Sequence, residues 1–365
     1  MKKRLRTGFT TGTAAAAAAR GAVLLLLEGR PPAAVSVALP TGEAMTVPVH
    51  SCRRAGAAAV CTVIKDAGDD PDVTHGAEIG ARVRLSPLAG PETGPPEVVI
   101  CGGEGVGRIT KPGLELPPGE PAINPGPRRM ITQAVAAALA VHGAKCSAAV
   151  EVFAPQGVEI ARKTLNARLG IVGGISILGT TGLVRPMSHE AFTATIAAGL
   201  SVARACGLER AVLSTGRRSE RCAQRLWPQW PEESFVQIGD FFQTSLGFAA
   251  QKGFARVILA VFFGKALKMA QGAPHTHAAR SELSLDALAG WALEQGRGPE
   301  LAEKIRRCNT AREAFTLISS GRPNLIAEVG RRVVANAARF AGPGIRIQNV
   351  IFDYEGRVAF DSENV

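Results

Sequence analysis

Aromatic residues make up only 5% of this 365-residue chain, with one tyrosine and three tryptophans. Its core must therefore be packed from Ala, Val, Leu and Ile, and an apolar content of 46% is ample for that. Cysteine is sparse and odd in number: Cys52, Cys61, Cys101, Cys146, Cys206, Cys222 and Cys308 are widely spaced, and none forms a CxxC pair. The pattern argues against a disulfide framework, a structural zinc site and a thioredoxin-type centre. Buried reduced thiols in a cytoplasmic protein are the simplest account.

Several motifs are missing. Two glycine-rich runs, Cys101–Gly113 and Gly170–Gly182, follow apolar segments, yet neither contains GxGxxG, and no GxxxxGK[ST] occurs. The usual dinucleotide and P-loop signatures are therefore absent. There is no HExxH and no GxSxG, and the aspartate spacing around Pro71 does not fit an EF-hand. His275 and His277 alternate on an extended segment and would point to opposite sides, which is poor geometry for one metal. No protein-held metal is expected.

Acid is the minority charge. The 42 Lys and Arg outnumber the 31 Asp and Glu, for a net charge of +11. Such a balance favours anionic partners. The arginines fall in short dispersed pairs, such as Arg53-Arg54, Arg128-Arg129 and Arg217-Arg218, with no RNA-binding aromatic signature beside them. A small polyanionic ligand suits this pattern at least as well as nucleic acid. Long hydrophobic runs are lacking too. Near the amino terminus AVLLLL is interrupted upstream by Arg20-Gly21, so an alanine-rich helix capped by Thr11 or Thr13 and ended at Gly29-Arg30-Pro31 is expected rather than a signal peptide. No membrane partner is expected.

What is present divides the chain into two grammars. The first half alternates strands with two helices: hairpin strands around Pro40-Thr41-Gly42, a strand AAAVCTVI, strands ARVRL and EVVICGG joined by LAGPETGPP, a helix from about Pro127, and a second hairpin around Gln156-Gly157. This predicts an α+β domain over 1–190. The second half repeats strand and helix three times, from AVLS to GKALKMAQ, and then has a long helix from about Pro323 to Arg339 and strands RIQNVIF and RVAFD. A Rossmann-like α/β domain with a parallel sheet covered on both faces is predicted for 191–365.

Ligands of open parallel sheets collect at the carboxyl ends of the strands. Those ends bring forward Thr215, Gly216, Asp240, Gly264 and Lys265. Gly216 and Gly264 would permit close backbone approach, and Asp240 either accepts from ribose hydroxyls or caps the next helix. The other conspicuous segment is KDAGDDPDVTHGAE, Lys65–Glu78. Crowded carboxylates persist only on a hydrated turn or around positive charge, so this segment is either a surface turn or the wall of a site.

Taken together, GFTTGT (Gly8–Thr13), KDAGDDPDVTHGAEI, GGEGVGRITKPGL (Gly102–Leu114), GEPAINPGPR (Gly119–Arg128), GGISILGTTGLVRPMS (Gly173–Ser188) and GKALKMAQGAPHTH resemble the signature blocks of the anaerobic cobalt-precorrin-5B C-1-methyltransferases. The order and spacing match over nearly the whole chain. Two departures stand out: Ala14 replaces a cysteine common after the TTGT-like turn, and AARSE follows His277. The resemblance implies methyl transfer from S-adenosylmethionine to ring carbon 1 of cobalt-precorrin-5B, giving cobalt-precorrin-6A, with cobalt present only as part of the substrate.

It also suggests roles. His75, Asp70 and Glu104 become candidate general bases. Thr215, Gly216, Asp240 and Gly264 become candidates for the methyl donor, with Gly173–Gly182 the competing placement. Lys65, Asp66, Arg108, Lys111, Asn124, Arg128 and Lys265 become candidates for the polycarboxylate substrate. A nicotinamide-dependent oxidoreductase acting on a polyanionic small molecule is the alternative. A nucleic-acid-binding module and a non-catalytic corrinoid binder are weaker ones.

Overall fold

The computed structural model describes residues 5–87, 96–186, 188–277, 284–319 and 323–363. Within it the chain divides into two compact units, Met1–Ser188 and His189–Val365.

The first unit opens with β1 (Gly8–Phe9), α1 (Thr11–Glu28), β2 (Ala34–Ala38) and β3 (Ala44–Pro48). It continues through β4 (Ser51–Ala55), β5 (Ala58–Ile64), β6 (Glu78–Pro87), β7 (Val98–Gly102) and β8 (Arg108–Ile109). It closes with α2 (Pro125–Val141), β9 (Cys146–Phe153), α3 (Gly157–Ala161), β10 (Ile171–Val172) and β11 (Leu183–Val184). Its main sheet has the order β4-β5-β6-β9-β7, antiparallel except where β7 runs parallel to β9. β2 and β3 form a separate hairpin around the predicted turn.

Small side chains bring α1 onto this sheet. Ala14 to Ala19 are fully buried, and a Cβ added at Gly21 would lie 2.6 Å from Cys61 Sγ on β5. The core around α1, α2 and the sheet is almost entirely Ala, Val, Ile and Leu, with Phe9 its one buried aromatic ring among the described residues. α1 is long and apolar enough to cross a membrane, and its burial in this core explains that apolarity. Its cap is Thr10 rather than Thr11 or Thr13, because the last two hydroxyls are turned to backbone carbonyls of Ser176 and Gly182. Gly29 closes the helix in the left-handed conformation at φ 76°, donating to Leu25.

Two expectations, the second hairpin and the burial of the thiols, are corrected. The second hairpin does not form: β9 pairs with β6 and β7, and Gly157–Ala161 turns into a short helix although Val158 and Ile160 favour strands. Gly157 is drawn there because its backbone packs on Gly105, where an added Cβ would lie 2.0 Å from the carbonyl oxygen. β6 and β7 are not sheet neighbours, since β9 lies between them, and most of the LAGPETGPP connection lies outside the described residues. Not all the thiols are buried: all seven are unbridged, but Cys101 and Cys206 are exposed.

The second unit comprises α4 (His189–Ala205), β12 (Arg210–Ser214), α5 (Arg217–Leu226), β13 (Phe235–Gln237), α6 (Phe242–Gln251), β14 (Arg256–Phe262) and α7 (Phe263–Ala270). Helices α8 (Leu285–Glu294), α9 (Pro299–Arg307), α10 (Ala311–Ser319) and α11 (Pro323–Ala341) follow, then β15 (Arg346–Phe352) and β16 (Val358–Asp361). The sheet order is β13-β12-β14-β15-β16; the first four strands are parallel and β16 is antiparallel. Alternation along the strands buries both faces. Leu213, Leu259 and Ile351 join the core with α4, α6, α7 and α11, while Val212, Ile258 and Val350 join a smaller core under α5.

From β12 the chain passes through α5 to one side, to β13, and then returns through α6 past β12 to β14. The direction of winding therefore reverses between β12 and β14, which is where open parallel sheets leave a crevice at their carboxyl ends.

Candidate active site

The acidic segment after β5 is a knotted turn in which most charges have internal partners. Lys65 is buried, with 2% of its surface exposed, and its Nζ lies 2.7 Å from Asp72 Oδ2. Asp72 Oδ1 accepts from Thr74 N and Oγ1 at 2.8 and 2.7 Å. Burial pushes the Asp72 carboxyl upward, but the Lys65 and Thr74 hydrogen bonds outweigh it, so its pKa falls below the ordinary value. Asp66 accepts from Nη1 and Nη2 of Arg6, which lowers its pKa likewise, and Arg6 N donates to Asp69 Oδ2 at 2.7 Å.

Two glycines make this crossing between the amino-terminal segment and the acidic turn sterically feasible. A Cβ on Gly8 would lie 2.2 Å from Asp66 O, and one on Gly68, at φ +67°, would lie 2.1 Å from Arg6 O. His75 Nδ1 accepts from Ala67 N at 3.1 Å. That bond places the ring proton of neutral His75 on Nε2, so the half-exposed imidazole presents a donor rather than a base.

The glycine-rich runs are stitched to one another. Ile175 N donates to Gly105 O and Gly107 N to Ile175 O, at 2.9 and 2.8 Å. A Cβ on Gly174 would sit 2.1 Å from Gly105 O, and one on Gly105 would sit 1.9 Å from Ala154 O. The Thr10–Thr13 turn closes on the same run through Thr10 N and Thr13 Oγ1 to Gly182 O, at 3.0 and 2.7 Å. Asn124 N donates to Ile177 O. These glycines serve backbone-to-backbone packing. The two glycine-rich runs form one layered cluster, with Glu104 exposed on it.

In the second unit, Asp240 follows β13. Its Oδ1 accepts from Lys265 Nζ and from Thr276 Oγ1, the latter at 2.7 Å, and its backbone carbonyl accepts from Thr276 N at 2.9 Å. Partial burial raises its pKa, but the hydrogen bonds from Lys265 and Thr276 win, and the carboxyl lies below its usual range. The side chain does not cap α6, whose cap residue is Phe241. Among the described residues Oδ2 accepts no hydrogen bond, so one oxygen of an ionised carboxylate is open. At the end of β12, Ser214 is fully buried and its Oγ has no partner among the described residues.

Several predicted binding residues are already occupied. Lys65 is buried under Asp72, Asp66 is held by Arg6, and Lys265 is held by Asp240 and Thr276 O. Arg128 bonds Glu120 Oε2 at 2.9 Å and Ile123 O at 2.8 Å. Arg108 donates to Gly119 O, and the stem of Lys111 packs over Gly170. Asn124 is the cap residue of α2, without a side-chain cap bond. Gly264 is not in a loop: α7 begins at Phe263, directly after β14. Gly216 has an extended φ of 169° with open space at its Cβ position, so the glycine is not needed for steric reasons. Thr215 stays at the strand end as expected, half-buried.

Arg221 and Arg225 lie outside the residues expected to bind substrate. The signal was present in RRSERCAQR, where Arg217, Arg221 and Arg225 recur at helical i, i+4 spacing.

This geometry describes a protein of mixed sheets and helices with polar groups gathered at tightly packed loops and strand ends. Comparison with known proteins makes the assignment specific. The CbiD family model matches residues 1–186 and that of the CbiD C-terminal domain matches 275–363. The chain belongs to the CbiD family. It is 47% identical to a cobalt-precorrin-5B C(1)-methyltransferase of Nitratidesulfovibrio vulgaris, over 96% of this chain and 91% of that protein. It is 46% identical to the protein of the same name from Geobacter metallireducens, over 98% and 99%. A crystal structure described as cobalamin biosynthesis protein (cbiD) from Archaeoglobus fulgidus shares 27% identity, covering 80% of this chain and 85% of its own, with a TM-score of 0.40.

Proposed function

We propose that this protein transfers the methyl group of S-adenosylmethionine to carbon 1 of cobalt-precorrin-5B, the step that yields cobalt-precorrin-6A. The observation that carries this is 46–47% identity with relatives bearing that activity in their names, over nearly the full length of both chains. The oxidoreductase alternative gains no comparable support. In the transfer, the C–S bond of the sulfonium breaks as the bond to ring carbon 1 forms, leaving a neutral thioether. Such an in-line displacement depends chiefly on alignment of donor and acceptor.

The donor is assigned to the carboxyl edge of the second unit's sheet, at the reversal between β12 and β14, because doubly wound sheets bind ligands there. Thr215 and Gly216, which follow β12, are its candidate contacts, and the open Oδ2 of Asp240 suits a ribose hydroxyl. Gly264, inside α7, is assigned no contact. In the first unit Glu104 and Asp70 are the candidates for taking a proton, and His75 acts as a donor. The substrate brings its own cobalt; no protein ligands for it are assigned.

Incubation of the protein with cobalt-precorrin-5B and methyl-labelled S-adenosylmethionine tests the reading. One labelled methyl per corrinoid is expected, and a corrinoid of unchanged mass would overturn it. Asp240→Asn should weaken donor binding in calorimetry; an unaltered Kd removes Asp240 from the donor site.

A further inference from the structure

Two residues, Thr215 and Gly216, separate β12 from helix α5, which starts at the carboxyl edge of the parallel sheet. Arg217, Arg218, Arg221 and Arg225 on this helix line a cavity of about 830 Å³, whose far side includes the Glu355-Gly356 turn between β15 and β16. Among the described residues none of these four arginines is in an ion pair. That is unlike much of the molecule, where Arg6, Arg128, Arg256, Arg332 and Arg357 each hold a carboxylate. The one acid lining the cavity, Glu355, is paired with Arg357 instead.

The arrangement is unfavourable for the empty protein. Like charges four residues apart on a helix repel. Arginines in the first turn also oppose the positive end of the helix dipole. The one acid of α5, Glu220, is buried and accepts from Gln237 Nε2 at 2.7 Å, whereas α9 pairs its exposed charges along the helix through Lys304–Glu300 and Arg307–Glu303. Part of the set is held in place: Arg218 lies 4.7 Å over the Phe262 ring and donates to Tyr354 O, and Arg225 donates to Cys222 Sγ at 3.2 Å. Gly356 forms the opposing wall, where an added Cβ would come within 3.0 Å of Arg225 Nη2.

We infer that this arginine-lined cavity binds carboxylate side chains of the corrinoid substrate. Planar guanidiniums match carboxylates in paired hydrogen bonds, and bound anions would relieve both the repulsion and the dipole penalty. Arg217 to Arg225 spans about 12 Å of helix, so the stripe engages several carboxylates of one large ligand rather than a single small anion. The inference rests on the proposed methyl transfer for the identity of the ligand.

The test uses the full chain and two corrinoids, cobyrinic acid with free carboxylates and cobinamide with amidated side chains. Wild-type protein should bind cobyrinic acid more tightly than cobinamide. R217Q/R221Q/R225Q should lose about tenfold or more of that affinity, raise KM for cobalt-precorrin-5B, and keep its Kd for S-adenosylmethionine. Equal binding of the two corrinoids, an unchanged KM in the folded triple variant, or a loss confined to S-adenosylmethionine would each overturn the inference. Should the triple variant fail to fold, R221Q alone is read the same way. Wild-type protein that discriminates the corrinoids but transfers no methyl would sink the proposed reaction and leave the cavity assignment standing.

Discussion

The acidic turn of the first unit and the arginine stripe of the second are both dense in one charge, and the structure treats them oppositely. In the turn, Asp72 answers buried Lys65, Asp66 answers the Arg6 guanidinium, and Asp69 accepts from the Arg6 backbone N–H. On α5, Arg217, Arg221 and Arg225 meet no carboxylate among the described residues. Internal neutralisation marks a structural device, because the protein itself supplies the counter-charge that burial demands. An uncompensated stripe beside a cavity marks a place where the counter-charge comes from outside. Charge density in the sequence does not separate these cases; partner geometry does.

The comparison breaks first at Asp72. Asp72→Ala leaves the Lys65 ammonium buried and unpaired, and should cost about 3–5 kcal/mol in urea denaturation. A loss below about 1 kcal/mol would make the turn an ordinary surface loop. Gly8→Ala should cost about 1–3 kcal/mol, since its Cβ would meet backbone atoms of Asp66 and Ala67 that cannot rotate away; wild-type stability would show that the crossing can yield.

Acid supplies a third check. The folded-state pKa values of Asp66 and Asp72 lie below the ordinary carboxylate value. Their stabilisation is therefore complete above the unfolded value, at about pH 4, and is lost as pH falls through the lower folded values. The urea midpoint should drop below about pH 4, and the drop should be shallower in a variant lacking both aspartates. An identical pH profile for that variant would remove these pairs as the cause. The smallest effect is of opposite sign. In ligand-free protein R217Q/R221Q/R225Q should gain about 0.2–0.5 kcal/mol for each of two relieved i, i+4 repulsions. Destabilisation in a thermal melt would mean that the stripe has a structural role.

Much of the fold was legible from spacing. The strand–helix repeat of the second half predicted β12 to α7, and the hairpin at Pro40-Thr41-Gly42 needed only turn chemistry. Helices α4 and α8 to α10 were not anticipated. β4 escaped because its SCRRA sequence has little apolar alternation and is held by pairing to β5. The failed hairpin at Gln156-Gly157 shows a close glycine contact overriding the strand preference of Val158 and Ile160. Lys65, Arg128 and Lys265 are basic as a polyanion would require, yet each is satisfied within its own unit.

Local pattern and composition by themselves determined the aliphatic core of the first unit and the parallel sheet of the second, because these depend on side-chain type and on periods of two and 3.6 residues, whereas the core of the second unit also draws in Phe242, Phe254, Phe263 and Phe315. Only the tertiary structure decided which charges are spent inside the protein and which glycines serve packing. Those outcomes depend on contacts such as Arg6 with Asp66 and Gly105 with Gly174, made between segments far apart along the chain.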